Sequence, residues 1–200
     1  SQHPVQFWTQ SKGPDTIKPL SKKDDVKLSY ALKEFGLQFS FMPYDFTQIN
    51  PFINQVLVRR AMSLLKPSKD DRIFDFFCGL GNFTLPIATS GAKVMGIEGS
   101  ASLIERAKQC RDENHLNDFV EYQCMNLFDI TKESLLKLGH ANKWLIDPPR
   151  DGAFQLVQLI DDDIHPSIIV YVSCNPATLA RDAQILVHEK GYKLDKAGIV

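Results

Sequence analysis

The sequence has few of the features that mark metal sites, disulfide frameworks or membrane spans. Its four cysteines, at positions 78, 110, 124 and 174, form no Cys-x-x-Cys pair and have no histidine at zinc-ligand spacing. The longest apolar runs are strand-sized, well short of the roughly 20 residues that cross a bilayer, and the first residues show no signal-peptide pattern. We therefore expect free thiols, no bound metal, no membrane association, a cytoplasmic location and a monomer.

An excess of charge of one sign is also lacking. The net charge is −1 and the pI is about 6.5, so bulk electrostatics does not indicate a nucleic-acid partner. Positive charge is enriched only locally, at Lys18, Lys22, Lys23 and Lys27. With 200 residues, 44% of them hydrophobic, the chain is long enough for one globular domain preceded by a small appendage. Composition alone neither indicates nor excludes RNA.

The amino-terminal part predicts irregular chain, then a hairpin, then a helix. Residues 1 to about 26 have no apolar period and predict a connector or a loosely attached arm. Two short apolar runs, at 28–32 and 37–41, flank Gly36 and predict a hairpin. Asn50-Pro51 predicts a helix start, because the fixed φ of proline suits the first turn, and an apolar stripe continues to Pro67.

From residue 72 onward strand and helix patterns alternate. Strand-like runs are 72–77, 93–98, 118–123, 143–147, 167–172 and 192–197, and helical patterns fill about 82–90, 101–114, 131–138, 152–160 and 177–189. This alternation predicts an α/β fold with a doubly wound, mostly parallel sheet. Such sheets bind ligands at the carboxyl ends of their strands.

A glycine turn follows the first of these strands. Gly79 and Gly81 allow close approach of a ligand to the backbone, and Asn82 stands near the start of the next helix. Glu98 ends the second strand about 20 residues later, the spacing at which a carboxylate accepts both hydroxyls of a ribose. The short Gly-Leu-Gly turn favours S-adenosylmethionine over a dinucleotide, because the former has no pyrophosphate to enclose.

Two further strand ends carry specific motifs. The fourth strand runs into Asp147-Pro148-Pro149-Arg150, and the fifth into Ser173-Cys174-Asn175-Pro176. The first motif resembles the Asp-Pro-Pro loop that methyltransferases place beside the donated methyl group. Asn175-Pro176 would start a helix whose amino-terminal dipole favours a thiolate at Cys174.

Together these motifs resemble the catalytic domain of the RNA 5-methyluridine methyltransferases, especially the bacterial 23S ribosomal RNA branch. The resemblance runs from about residue 37 to the end and rests on four ordered blocks, at 45–50, 75–86, 147–153 and 171–182. It implies a Rossmann-like methyltransferase fold over 37–200, with 1–36 as linker and part of an amino-terminal hairpin and helix appendage. The site residues that it implies are Cys174 as nucleophile and Gln48, Phe77, Asn82, Glu98, Asn126 and Asp147 as contacts of S-adenosyl-L-methionine.

The resemblance also implies what the sequence does not contain. Members of the family carry a glutamate base beyond the strand that corresponds to 192–197, whereas the only Glu after Cys174 is Glu189, far along a helical pattern. The family's last strand, its RNA-binding barrel and its cysteine-ligated iron–sulfur segment have no counterpart either. We therefore expect a carboxyl-terminally truncated part of a longer protein.

Each motif also has a plainer interpretation. A cysteine at a strand end is often a core residue, and Cys78, Cys110 and Cys124 are interpreted as structural. Asp147 could cap the next helix, and Asn50 the helix at Pro51. Asp75 could brace the glycine loop through backbone N–H groups. A further set of basic residues, Arg150, Arg181 and the cluster from Lys18 to Lys27, is interpreted as solvated surface, with RNA contact left open.

The function that this reading predicts is transfer of a methyl group from S-adenosyl-L-methionine to carbon 5 of a uridine in RNA, ribosomal RNA first. A transfer-RNA substrate is the alternative within the class, and a cofactor-binding module without turnover is the alternative outside it. Cytosine methylation is disfavoured because position 149 is proline, where the related cytosine enzymes carry a second cysteine.

Overall fold

The computed structural model describes residues 5–13, 16–21 and 27–200. Lys22 and Lys23 of the predicted basic cluster lie outside the described residues. The strands are β1 (Trp8–Thr9), β2 (Lys18–Pro19), β3 (Leu28–Leu32), β4 (Leu37–Phe41), β5 (Arg72–Phe76), β6 (Lys93–Glu98), β7 (Val120–Cys124), β8 (Lys143–Ile146) and β9 (Ile168–Tyr171). The helices are α1 (Pro51–Leu65), α2 (Thr84–Ala88), α3 (Ala101–Glu113), α4 (Lys132–Lys137), α5 (Phe154–Gln158) and α6 (Pro176–His188). None of the helices in the described part is long and apolar enough to cross a membrane.

Five strands form one parallel sheet in the order β7-β6-β5-β8-β9. The chain moves outward from β5 to β6 and β7, then returns to the other side of β5 for β8 and β9. This reversal confirms the predicted doubly wound sheet. It also places the topological switch point, where such folds bind ligands, between the carboxyl ends of β5 and β8.

Helices cover both faces of the sheet. Successive residues of β5 point to opposite faces, so Ile73 packs in a core with α1, α2 and α3, while Phe74 and Phe76 pack in a second core with α4, α5 and α6. Both faces of a parallel sheet need such cover, which explains why Ile73, Phe74 and Phe76 are all apolar. The charged residues of β5 are Arg72, exposed at its start, and Asp75, which is fully buried.

The amino-terminal hairpin is part of the first core. β3 and β4 pair from Leu28 opposite Phe41 to Leu32 opposite Leu37, and Gly36, at φ 67°, lies at the connection between them. Leu32, Leu37 and Phe39 are buried against α1 and its neighbours. The predicted hairpin and the predicted start of α1 are both confirmed, and the Asn50 side chain caps α1 by accepting from the N–H groups of Phe52 and Ile53.

Two predictions about regular structure are wrong. The region up to residue 26, predicted to be irregular, contains a short antiparallel pair of β1 and β2. The predicted strand at 192–197 is absent from the described residues, and only Tyr192 is half-buried there, stacking on His165 with ring centroids 4.7 Å apart. A strand needs a backbone partner, and this segment pairs with none of the described strands.

Candidate active site

The predicted site residues gather at the carboxyl edge of the sheet. In the strand register Phe76 stands between Ile97 of β6 and Ile146 of β8, and Ile146 stands beside Tyr171 of β9. The residues just beyond these positions include Phe77, Glu98, Asp147 and the segment that leads to Cys174. Residues far apart in sequence therefore meet along one edge.

The glycine loop is anchored on Glu98. One carboxylate oxygen accepts from the N–H of Gly79 at 3.1 Å and the other from the N–H of Ser100 at 3.0 Å. Gly79 has φ 55°, and a Cβ at that position would meet no atom within 4 Å. The loop therefore leaves an open space beside a half-buried carboxylate, and each of its oxygens keeps a lone pair for a further donor.

Asp75 plays a different role from the predicted one. It does not brace the glycine loop through backbone N–H groups of residues 78–81; its Oδ2 accepts from the hydroxyl of Thr84, at the start of α2, at 2.5 Å. Its other oxygen has no hydrogen-bond partner among the described residues. Burial, with smaller contributions from the charges of Asp147 and Glu98, raises the pKa of Asp75 to about 8. The bracing carboxylate is Glu98.

Phe77 follows β5 and Asn126 follows β7, so the two residues lie on either side of the end of β6. Phe77 has φ 63°, a conformation unusual for a residue with a side chain, and its ring lies 5.7 Å from that of Phe128. Asn126 is exposed, and its side chain accepts from the N–H of Phe128 at 3.1 Å and donates to Asp129. The Asn126 amide thus orders the turn that presents Phe128.

Asn82 is held by residues that the sequence did not single out. Its amide and that of Asn54, on α1, donate to each other, both at 2.9 Å, and the hydroxyl of Tyr30 donates to the Asn82 oxygen at 3.0 Å. Asn54 is buried. The hint in the sequence was a polar side chain within the buried stripe of α1, formed otherwise by residues such as Val58 and Ala61.

Gln48 lies half-buried in the loop between β4 and α1. Asp45 fixes this loop: its carboxylate accepts from the N–H of Met42 at 2.8 Å and pairs with Arg106 on α3. The Asp45 side chain is almost fully buried, so the pair is shielded from solvent. Arg106 was missed because nothing in its local sequence distinguishes it from the other charges of α3.

Asp147 follows β8 directly, and its N–H donates to the carbonyl of Phe76 at 3.2 Å, which extends the ladder between β5 and β8. Burial raises the pKa of its carboxyl to about 6. The alternative that Asp147 caps the next helix is wrong, since α5 begins after Ala153 without a side-chain cap. Among the described residues its side chain has no hydrogen-bond partner, which leaves it available to a ligand.

Cys174 is an exposed free thiol. Asn175 caps α6 by accepting from the N–H of Ala177 at 3.0 Å, so the thiol precedes the positive end of a 13-residue helix. The same cap residue donates from its amide to the carbonyl of Arg150 at 2.9 Å, and the hydroxyl of Thr178 donates to that carbonyl at 3.1 Å. The loop that begins at Asp147 is therefore attached to the helix start beside Cys174.

The other cysteines differ among themselves. Cys78 and Cys110 are buried, as their structural interpretation requires, and burial raises the pKa of both thiols. Cys124, also interpreted as structural, is exposed at the end of β7. No group of three metal-ligating side chains forms within the described ranges. Two exposed thiols thus stand at strand ends of the same edge, Cys124 and Cys174.

Comparison with known proteins identifies the family that the sequence motifs resemble. The family model described as tRNA (Uracil-5-)-methyltransferase matches residues 11–198. A 23S rRNA (uracil(1939)-C(5))-methyltransferase RlmD of Chromobacterium violaceum is 53% identical over 200 residues, covering 100% of this chain and 39% of that protein. A protein of the same name from Dechloromonas aromatica is 56% identical over 98% of this chain and 45% of its own length. The chain thus spans less than half the length of these relatives.

Solved structures agree with the fold. The tRNA (uracil-54, C5)-methyltransferase of Pyrococcus abyssi, solved with S-adenosyl-L-homocysteine, superposes with a TM-score of 0.71 over 85% of this chain and 38% of that one, at 26% identity. A precorrin-8W decarboxylase from Methanobacterium thermoautotrophicum, at 19% identity and a TM-score of 0.63, covers 78% of this chain and 79% of its own and shares the fold alone. On its sequence and its fold, the chain belongs to the tRNA (uracil-5-)-methyltransferase family.

Proposed function

We propose that the protein transfers a methyl group from S-adenosyl-L-methionine to carbon 5 of a uridine in RNA, with 23S ribosomal RNA as the substrate. The observation that carries this proposal is the placement of Cys174: an exposed thiol before the first turn of α6, with the Asp147 loop attached to that turn. The names of the relatives support ribosomal RNA as the substrate.

The edge of the sheet has groups that fit S-adenosyl-L-methionine. The Glu98 carboxylate has free lone pairs for the ribose hydroxyls, beside the open space over Gly79. The rings of Phe77 and Phe128, which lie side by side, would form an apolar surface for the adenine, and Asn126 orders the turn of Phe128. When bound, the sulfonium supplies an electrophilic methyl group, and S-adenosyl-L-homocysteine is what remains.

Three further residues complete the proposed pocket. Asp147, at the switch point, would contact the amino acid part of the cofactor, and burial raises the pKa of its carboxyl to about 6. Asn82 and Gln48 would contact it from the α1 side, each held by its own anchor, the Asn54 amide and the Asp45–Arg106 pair respectively. Preorganised groups of this kind bind a ligand at a lower cost in conformational entropy.

The chemistry explains why a thiol is needed. Carbon 5 of uracil is a weak nucleophile, so the Cys174 thiolate adds to carbon 6, and the resulting enolate uses its electron pair to bond carbon 5 to the methyl group. A base then removes the carbon 5 proton, and the electron pair restores the double bond as the thiolate leaves. Carbon 6 must be accessible to the thiol, so the target uracil is either flipped out of a helix or part of a single-stranded segment.

The described residues suggest no base for the last step. Glu189 follows α6 at the end opposite to Cys174, and 13 helical residues span about 20 Å, which is out of reach. We place the base outside these 200 residues, as the family resemblance implies.

The Arg150 side chain, exposed next to Asp147-Pro148-Pro149, is a candidate contact for an RNA phosphate.

A fluorinated substrate tests the proposal without needing the base. In RNA that carries 5-fluorouridine, methyl transfer leaves no proton on carbon 5, so the protein should stay covalently bound. We expect a denaturation-resistant protein–RNA adduct that requires S-adenosyl-L-methionine and is lost in Cys174→Ala. Cys124→Ala is the matched control, because Cys124 is also exposed at this edge, and it should leave adduct formation unchanged.

The outcomes separate the alternatives. An adduct with transfer RNA but none with a 23S ribosomal RNA segment would show that the substrate is transfer RNA, the substrate named for the Pyrococcus abyssi structure. Binding of S-adenosyl-L-homocysteine with no adduct on either RNA would favour the cofactor-binding module. An adduct that persists in Cys174→Ala would contradict the mechanism.

A further inference from the structure

A fully buried carboxylate, Asp182 on α6, lies behind the proposed site. Its Oδ2 accepts from the hydroxyl of Tyr171 at 2.6 Å and from the N–H of Ala153 at 2.7 Å. Its Oδ1 accepts from Nε of Arg181 at 2.8 Å. Burying a carboxylate is unfavourable unless donors compensate it, and here each oxygen has at least one.

The groups that Asp182 joins all belong to elements that carry the site. Tyr171 ends β9, three residues before Cys174. Ala153 ends the loop that begins at Asp147, and α6 itself starts directly after the Cys174 segment. A single side chain therefore connects the strand, the loop and the helix on which the proposed thiol and cofactor groups depend.

The loop is packed tightly on this carboxylate. Gly152 has φ 78°, and a Cβ there would stand 2.6 Å from Nη2 of Arg181 and 2.7 Å from Oδ2 of Asp182. The same Arg181 nitrogen donates to the carbonyl of Asp151 at 2.9 Å. Arg181 is exposed, as the sequence interpretation holds, and its guanidinium also braces the loop. A side chain at 152 would therefore force the loop away from the helix.

We propose that Asp182 is a positioning residue, which sets the placement of the Asp147 loop relative to Cys174 and thereby the alignment of methyl donor and target carbon. This role rests on the proposed function. Asp182 touches neither substrate nor cofactor in this account; it acts through Tyr171 and Ala153. Cofactor binding at Glu98, on the other side of the switch point, should depend on it much less.

Two substitutions perturb the connection from opposite sides. Asp182→Asn keeps the shape but turns one acceptor into a donor that faces groups which are themselves donors. Gly152→Ala pushes the loop away from an unchanged Asp182. With saturating S-adenosyl-L-methionine and 5-fluorouridine RNA, we expect each to slow adduct formation about tenfold to a hundredfold, because small misplacements are costly in such reactions. The pH at which the rate of adduct formation is half-maximal should be the same in both variants as in the wild type.

Measurements of the unfolding midpoint and of cofactor affinity in the variants distinguish a positioning role of Asp182 from a general structural role. Asp71→Asn is the matched control, since Asp71 is a buried carboxylate that pairs with Lys143 at the opposite edge of the sheet. It should lower the unfolding midpoint, yet keep the adduct rate within about twofold, because the two sites are far apart. In Asp182→Asn the Kd of S-adenosyl-L-homocysteine should likewise change by less than about threefold.

The result that overturns the proposal is an adduct rate in folded Asp182→Asn equal to that of the wild type, or a loss of cofactor affinity as large as the loss of rate. If Asp182→Asn does not fold, Tyr171→Phe removes one donor and keeps the carboxylate; an unchanged rate there overturns the proposal equally. A wild-type chain that forms no adduct overturns the proposed function itself, whereas normal wild-type adducts with unaffected variants overturn only the positioning role.

Discussion

Replacing Asp75 with asparagine should flatten the pH dependence of stability. The side chain is fully buried, with one oxygen bonded to the Thr84 hydroxyl and the other without a partner in the described part of the chain. Burial raises its pKa from the usual 3.8 to about 8. The folded protein therefore holds Asp75 as a neutral acid at pH 7.

The sign and size follow from proton linkage. Between about pH 4 and pH 8 the unfolded chain has lost this proton and the folded chain keeps it. The folded state binds more protons in this window, so the free energy of unfolding falls as pH rises, by roughly 1.4 kcal/mol per pH unit from this group. The contribution of the neutral acid is fully present below about pH 4 and is lost by about pH 8. Asparagine has no proton to lose and lacks this slope.

Urea unfolding at pH 5, 6 and 7, followed by circular dichroism, measures the difference. From pH 5 to pH 7 the wild type should lose roughly 2 to 3 kcal/mol relative to Asp75→Asn. Asp71→Asn is the control: burial opposes ionisation there, but hydrogen bonds from Lys143, Asn142 and Ser68 lower the pKa of Asp71 to about 2, so its effect should be constant across this range. Wild-type and Asp75→Asn curves that run parallel would refute the reasoning.

Two other substitutions test the cofactor side of the site. Glu98→Gln should weaken S-adenosyl-L-homocysteine binding about tenfold or more by calorimetry, since a charged acceptor of ribose hydroxyls is lost; Glu121→Gln, exposed on β7, is the control, and equal effects of both would contradict the assignment. Asn54→Ala should lower the free energy of unfolding by about 1–3 kcal/mol, because the half-buried Asn82 amide loses one of its two partners and keeps only the Tyr30 hydroxyl. It should also weaken cofactor binding, and an unchanged affinity would show that Asn82 does not contact the cofactor.

Strands and helices from residue 72 to 188 were predictable because their signals are local and mutually consistent. A parallel sheet covered on both faces needs continuous apolar strands, and each such run between two helical patterns became a strand. The failure at 192–197 has the opposite cause. Tyr192 and Leu194 do alternate with charged residues, but pairing is a property of two segments, and Leu194 is 62% exposed with no described strand beside it.

The site was predictable where a motif stands at a strand end and not where support comes from elsewhere. The positions of Glu98 and Cys174 at strand ends follow from the strand pattern, whereas the nucleophile role of Cys174 is what the family resemblance implies, and both roles stay predictions. Asn54 supports Asn82 from a helix 28 residues away, and the sequence offers only a polar side chain on a buried stripe as a hint. Arg106 resembles any other surface charge until the fold brings Asp45 beside it.

The bracing role that the sequence suggested for Asp75, and that Glu98 fills, shows the same limit. Both carboxylates were visible in the sequence, one inside a strand and one at a strand end. Which of them accepts the loop N–H depends on side-chain direction at the end of β5, where Asp75 points toward Thr84 in the first core. Strand periodicity assigns a residue to a face but does not choose its hydrogen-bond partner.

The most direct test of the account is to locate the covalent bond. After reaction with S-adenosyl-L-methionine and 5-fluorouridine RNA, nuclease and protease digestion followed by tandem mass spectrometry identifies the modified peptide. The account predicts a nucleotide that carries fluorine and one added methyl group, attached to Cys174. Attachment at Cys124, a nucleotide without the methyl group, or no adduct from a folded, cofactor-binding chain would contradict it.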